Sequence, residues 1–327
     1  MRGGLALLLA SLLVAALLRV SLGPVSSDGV VALAWGVPSA EILGFRTAGV
    51  VGTVLLGASL GLSGLALQIL LRNPLASPFV LGVSSGAGFG VACVLLTGYL
   101  FASSAGGFLG EALGAAIGAL AALAIVARFG RTDEGHDPTA LILAGVILGA
   151  IFSAATALLE QLVPFGLRGD LLSWTAGRLP EIPSRLQLAI LGVAAIGGWL
   201  ALARRAGALD VSMLSDDEAR SSGVRLSALR TELFWIGGLL AAIAVAYAGP
   251  IGFVGLVGPH LARLLVGPRH GALVPASALA GAALLVTADV ARQWLDLGTG
   301  RLPIGVLTAL AGGPFFLWLL RRGAWKA

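Results

Sequence analysis

The segment TAGVVGTVLLGASLGLSGLALQILL, residues 47–71, runs directly into Arg72-Asn73-Pro74-Leu75-Ala76-Ser77-Pro78. The first part carries no charged side chain and is longer than the roughly 20 apolar residues a helix needs to cross a bilayer. The second part cannot continue that helix, because proline lacks a backbone N–H and restricts the residue before it. A spanning helix ending in a tight, stiff loop is predicted. Gly82-Val83-Ser84-Ser85-Gly86-Ala87-Gly88 follows, a small-residue stretch that lets helices approach to backbone contact. A packing seam accounts for these glycines. Asn beside two prolines also fits a rigid constriction at the mouth of a pathway.

The rest of the chain repeats this theme. Of 327 residues 57% are hydrophobic and 11% charged, against roughly 25% charged in a soluble domain, so a soluble globular fold is excluded. Ten spans are predicted, at about residues 5–22, 47–71, 79–98, 107–127, 139–163, 186–203, 231–248, 251–266, 272–292 and 303–320. They form an all-α polytopic membrane protein, with residues 1–327 as a single transmembrane domain. The first span fits a signal peptide superficially, but Arg19 lies inside it and no A-x-A site follows, so it is read as uncleaved. Segment 251–266 is short and holds Pro259, His260 and Arg263, so a broken or re-entrant segment is the alternative there.

The charge of +5 comes from 20 Arg and one Lys scattered among apolar segments, which gives nucleic-acid binding no support. With the N-terminus inside, fourteen basic residues fall on the inner side and seven on the outer, so both termini are expected in the cytoplasm. The single cysteine, Cys93, builds neither a disulfide framework nor a thiolate site within one chain. His136, His260 and His270 lack zinc-like spacing, so no metal site is expected.

The longest polar inner segment, about 205–228, contains Ser215-Asp216-Asp217-Glu218-Ala219-Arg220. Ser and Glu at this spacing form a capping box, with acids favoured at a helix start by its dipole, and Gly223 supplies a stop. A short amphipathic helix is expected, either a solvated connector or a docking surface for a cytoplasmic partner.

Leu65-Ala66-Leu67-Gln68 through Asn73-Pro74-Leu75-Ala76 and Leu81-Gly82-Val83-Ser84-Ser85-Gly86-Ala87 come first. Gly249-Pro250-Ile251-Gly252-Phe253-Val254-Gly255-Leu256-Val257-Gly258-Pro259-His260 with Arg263, then Leu302-Pro303-Ile304-Gly305 through Gly313-Pro314-Phe315-Phe316, follow in order. Together they resemble the permeases of iron-complex and cobalamin ABC importers, the FecCD family. The resemblance implies a cobalamin-permease-like fold of ten helices and a homodimer with the pathway at its interface. It further implies two cytoplasmic ATPase subunits and a periplasmic or lipid-anchored binding protein, in a bacterial inner membrane. By position the Ser215–Gly223 segment corresponds to the coupling helix, Asn73 and Leu75 to an inner gate, and Thr139 falls near a second gate.

Several positions depart from the family pattern. Arg46-Thr47-Ala48-Gly49 keeps only the first arginine of R-x-P-R, Arg301 stands where Glu usually precedes Leu-Pro-Ile-Gly, and Arg178 replaces a Ser. Arg292 lies near the family's outer docking arginine. These four are candidates for binding-protein docking, while Arg46, Arg178 and Arg301 also suit interfacial anchors and Asp289 and Arg292 suit an i, i+3 pair.

A Walker A loop requires a lysine, and the only one is Lys326. The chain is therefore expected to be no enzyme and to bind no cofactor, ATP and Mg²⁺ being used by the partner ATPase. An ion-coupled secondary transporter would place acids near the midplane, yet Glu111, Glu160, Glu232 and Asp289 lie near predicted span ends. An intramembrane enzyme lacks a constellation such as H-E-x-x-H. The cargo expected from the resemblance is a ferric siderophore or haem, with cobalamin as the alternative.

Overall fold

The computed structural model describes residues 2–27, 30–36, 38–101, 108–132, 135–295 and 302–321. Helix α1 (Arg2–Ser21) leads into an antiparallel hairpin of β1 (Leu22–Ser27) and β2 (Val30–Trp35), and α2 runs from Ala40 to Leu70. A 3-10 turn (Pro78–Leu81), α3 (Val83–Leu100) and α4 (Phe108–Phe129) follow. The short pair β3 (Arg131–Thr132) and β4 (Gly135–His136) then precedes α5 (Pro138–Leu162). Next come α6 (Phe165–Thr175), α7 (Arg185–Arg204), α8 (Ala206–Ser212), α9 (Asp216–Ser221), α10 (Leu226–Ala248), α11 (Val254–Val266), α12 (His270–Trp294) and α13 (Ile304–Arg321).

Eight of these helices are long and apolar enough to cross a membrane, namely α1 to α5, α7, α10 and α12, and α11 and α13 are shorter apolar helices. The expected ten-helix membrane fold is thus present. Thirteen residues of α11 at 1.5 Å each span about 20 Å, short of the ~30 Å hydrocarbon core. The broken-segment alternative for 251–266 is therefore the geometry found. The chain is unwound from Gly249 to Phe253, both at positive φ, before the half-length helix begins. The hairpin and α6 had no counterpart among the expected elements, and α2 starts at Ala40 instead of Thr47, which places Arg46 inside the helix.

Helix α2 is the axis of the bundle, buried without a break from Ser59 to Leu70, as an all-round apolar helix must be. Apolar side chains gain little by leaving lipid for protein, so close backbone packing has to hold helices together. Gly57 and Gly61 lie on the Gly281 and Ser277 carbonyls of α12, and Gly64 lies on Gly255 of α11. The Ser63 hydroxyl donates to the Gly237 carbonyl of α10 (2.6 Å), and the Gln68 amide donates to the Leu256 carbonyl of α11 (3.2 Å). In α5, by contrast, only Leu141, Gly145 and Leu148 are buried, and Leu143, Ile147, Ile151 and Leu158 face outward.

Candidate functional site

The Asn-Pro loop owes its shape to its own side chains. Arg72 adopts φ +46°, which turns the chain out of α2, and the Asn73 carboxamide oxygen accepts from the Leu75 amide (2.9 Å). The Ala76 amide donates to the Asn73 carbonyl (3.0 Å), and the Ser77 hydroxyl accepts from the Phe79 amide (3.2 Å). Gly82, at φ +70°, ends the 3-10 turn. Gly145 brings α5 against the Val80 carbonyl, so the loop is braced by the helix that begins near Thr139. Asn73 and Leu75 are half-buried and Thr139 is exposed, two residues after the Asp137 cap of α5.

The polar segment beside this loop contains two short helices, α8 and α9, where one was expected. The capping box of α9 is present. The Ser215 hydroxyl accepts from the Glu218 amide (3.4 Å), and the Glu218 carboxylate accepts from the Ser215 amide (3.1 Å) and hydroxyl (2.7 Å). Gly223 ends the turn at φ +83°, with the Val224 amide donating back to the Ala219 carbonyl (3.1 Å). Ala219 is buried, whereas Asp217, Glu218 and Arg220 are exposed.

Asp216 ties this segment to α10 and to the loop after α2. Its carboxylate accepts from Arg230 of α10 (2.8 and 3.0 Å) and from Arg72 (2.6 Å). Desolvation pushes its pKa up, but the Arg230 and Arg72 guanidiniums outweigh that and hold it below the usual carboxylate range. The Ser215 hydrogen bonds likewise lower the pKa of Glu218. Both groups therefore stabilise the folded segment fully above the ordinary carboxylate range, and that contribution fades as pH falls below about 4.

Replacing Ser215 with Ala should cost about 1 kcal/mol of helix-start stability. With Glu218→Ala added, faster amide hydrogen exchange across 215–222 is the expected result. Wild-type exchange rates would show that the packing of Ala219 alone orders α9.

At the opposite end of the bundle, Arg46 donates from Nη1 to the Val20 carbonyl (2.9 Å) and is half-buried. Arg178, whose side chain is 36% exposed, pairs with Glu111 of α4. Arg292 is buried, with its guanidinium turned to Asp289. Its side chain is 6% exposed and grips Asp289 through Nη2 (2.7 Å), while Arg19 grips the other carboxylate oxygen (2.6 Å). A buried carboxylate demands compensating charge, so Arg292 turns inward and the i, i+3 pairing holds. Arg301 lies outside the described residues.

Three sequence motifs meet at this end through backbone. The Arg178 amide donates to the Ala248 carbonyl (2.7 Å) and the Gly305 amide to the Gly177 carbonyl (3.4 Å). A side chain at Gly177, Gly249 or Gly305 would overlap the facing carbonyls of Pro250, Trp174 or Ala176 respectively.

The acids weighed above for ion coupling are also accounted for in part. Glu111 pairs with Arg178, Glu232 with Arg205 (2.6 Å), and Asp289 with Arg19 and Arg292.

The FecCD transport family matches the chain over residues 6–322. The chain belongs to that family. FecCD relatives include the hemin transport system permease HmuU of Yersinia pestis, 37% identical over 290 residues that cover 86% of this chain and 83% of the relative. The vitamin B12 import system permease BtuC of Salmonella typhi is 39% identical over 275 residues, covering 83% and 80%. Among solved structures, a transporter described as of the metal-chelate ABC type, in an inward-facing conformation, superposes with TM-score 0.84 at 30% identity over 98% of this chain and 99% of its own. This FecCD chain is accordingly a permease of an ABC importer.

Sequence reading of this FecCD permease missed both partners of Asp216 and, for Asp289, the second partner Arg19. Arg72 and Asp216 are 144 residues apart, and Arg19 and Asp289 are 270 apart. A usable signal existed for Asp289, an acid in an apolar span, and for Arg19 and Arg72, each a lone arginine at a helix end.

Proposed function

We propose that two copies of this chain form the membrane pathway of an importer that carries a bulky metal chelate inward by alternating access, a ferric siderophore or haem first. Residues 1–327 act as one permease domain. The Arg-rich end with both chain termini faces the cytoplasm, where two ATPase subunits use ATP and Mg²⁺. The chain itself binds no cofactor. A substrate-binding protein docks on the outer end of a bacterial inner membrane, near Arg46, Arg178 and Arg301.

The observation that carries this reading is the capped α9 segment, ion-paired to α10 and to the Asn73-Pro74 loop through Arg72. A partner pressing on that segment bears directly on the bundle. The largely unburied face of α5 suits a second copy lining the pathway. The metal-chelate type of the structural neighbour and the hemin permease favour an iron complex. The vitamin B12 permeases, at comparable identity, favour cobalamin as the second reading.

The test is purification of the chain with its candidate ATPase and binding protein, then uptake of haemin, a ferric hydroxamate and cyanocobalamin into proteoliposomes. Uptake of one of them with ATP supports the reading. Uptake driven by an ion gradient without any ATPase overturns it.

The gate carries its own expectation. Replacing Asn73 and Leu75 with Gly removes the carboxamide that shapes the loop and the side chain that narrows it. The double variant should leak preloaded substrate from liposomes without ATP. Unchanged retention in a folded variant would reduce the loop to a connector.

A further inference from the structure

We propose that the ion pair between Arg72 and Asp216 is the link through which the coupling segment moves the loop carrying Asn73 and Leu75. This rests on the importer reading above and names the contact by which that importer transmits work.

The α8–α9 segment is fastened to the bundle at several places. Asp210 of α8 accepts from the backbone amide (2.9 Å) and Nδ1 (2.7 Å) of His270, at the start of α12. Arg205 pairs with Glu232 of α10 (2.6 Å), and Asp216 pairs with Arg230 of the same helix (2.8 Å). These contacts grip the ends of spans. Arg72 reaches the segment from the loop instead. Its Nη2 lies 2.6 Å from an Asp216 carboxylate oxygen and 3.1 and 3.2 Å from the Ser212 and Leu214 carbonyls, in the chain that joins α8 to α9.

Arg72 is placed to convert motion of that segment into motion of the loop. It directly precedes Asn73, whose amide closes α2 on the Gln68 carbonyl (3.1 Å) and whose carbonyl and carboxamide organise Ala76 and Leu75. A pull on the guanidinium therefore acts one residue from the proposed gate. Backbone strain agrees with this, because Arg72 holds a left-handed φ of +46° that L residues other than Asn and Asp seldom adopt. That turn carries its side chain off the α2 axis toward α8 and α9. Planar guanidinium is suited to several oxygens at once, and Arg72 and Arg230 share one carboxylate, so the contact is a network and not an isolated surface pair.

The experiment uses the complete transporter in proteoliposomes, with haemin, a ferric hydroxamate or cyanocobalamin as cargo, and reads substrate imported per ATP hydrolysed. Arg72→Asn tolerates the left-handed turn but is too short to reach Asp216, and Asp216→Asn removes the charge at nearly constant shape. Both should hydrolyse ATP while import per ATP falls by about 5- to 150-fold, the usual range of coupling between sites. Arg72→Lys keeps a charge and should recover part of the import. Glu232→Gln loosens another fastening of the same segment without touching the loop and should lower import per ATP less than Arg72→Asn or Asp216→Asn.

If Arg72→Asn does not fold, Asp216→Asn decides by comparison with Arg230→Gln, which breaks only the α10 side of the same carboxylate and should lower import less. Wild-type import per ATP in Arg72→Asn or Asp216→Asn, with the ATPase co-purifying, would overturn the link alone, as would an equal fall in Glu232→Gln or Arg230→Gln. Failure of the wild-type chain to bind any ATPase would overturn the importer reading and the link with it.

Discussion

Gly64→Ala should fail to give a stable, monodisperse permease. A Cβ at this position falls on the Gly255 carbonyl of α11, with that residue's backbone carbon and Cα also within contact range. No side-chain rotation can relieve the overlap, because every atom involved is backbone. Overpacking costs typically about 1–3 kcal/mol and occasionally more, and a backbone clash inside the central helix belongs at the upper end. Folded proteins hold only about 5–15 kcal/mol of stability in total. Thermal unfolding in detergent should show a large loss for Gly64→Ala, and Gly61→Ala should follow, since its Cβ would meet the Ser277 carbonyl. Gly192→Ala is the control, because its Cβ would lie 3.8 Å from a Leu55 methyl, an ordinary contact. A wild-type melting profile for Gly64→Ala would mean that α2 and α11 are free to separate.

Removing the carboxylate of Asp289 should be nearly as damaging. Its side chain is 2% exposed and lies between Arg19 (11%) and Arg292 (6%). Asp289→Ala would remove the carboxylate that both buried guanidiniums grip, and breaking a buried ion pair from one side costs about 3–5 kcal/mol. The loss should appear first at α1. That helix contributes only Leu8, Leu12, Ala15 and Arg19 to the buried set, so Arg19 is the polar pin at its end. Hydrogen exchange should rise in the last turns of α1 and α12 together. Arg19→Met is the informative contrast, because Asp289 keeps Arg292 and an apolar side chain fills the vacated space. It should lose less stability than Asp289→Ala. Equal losses would show that Arg292 does not compensate the carboxylate when Arg19 is gone.

Arg292 shows where sequence reading reaches its limit. Asp289 and Arg292 at i, i+3 are adjacent on a helix whichever way that face points. Whether the pair turns outward to a partner or inward depends on what packs against it, and the deciding group, Arg19, is 270 positions away. The Asn-Pro loop divides in the same way. Its stiffness follows from two prolines, but its role as an attachment point for α9 depends on Asp216, 144 positions on. The glycines at 249 and 305 were visible within motifs, and only the convergence of their backbone with that of Gly177 explains why each of the three must lack a side chain.

The sequence alone determined what depends on short-range chemistry. Apolar runs long enough to cross a bilayer set the number of helices, because burial in lipid requires each span to satisfy its own backbone hydrogen bonds. The Ser215–Glu218 capping box and the Gly223 stop were equally local, since capping groups sit within one turn of the amides they serve. The tertiary structure decided which helix is central, where α11 breaks, and which arginine meets which acid. Those outcomes rest on close approach of distant backbones and on neutralising buried charge, and residue spacing hints at such places without naming the distant partner.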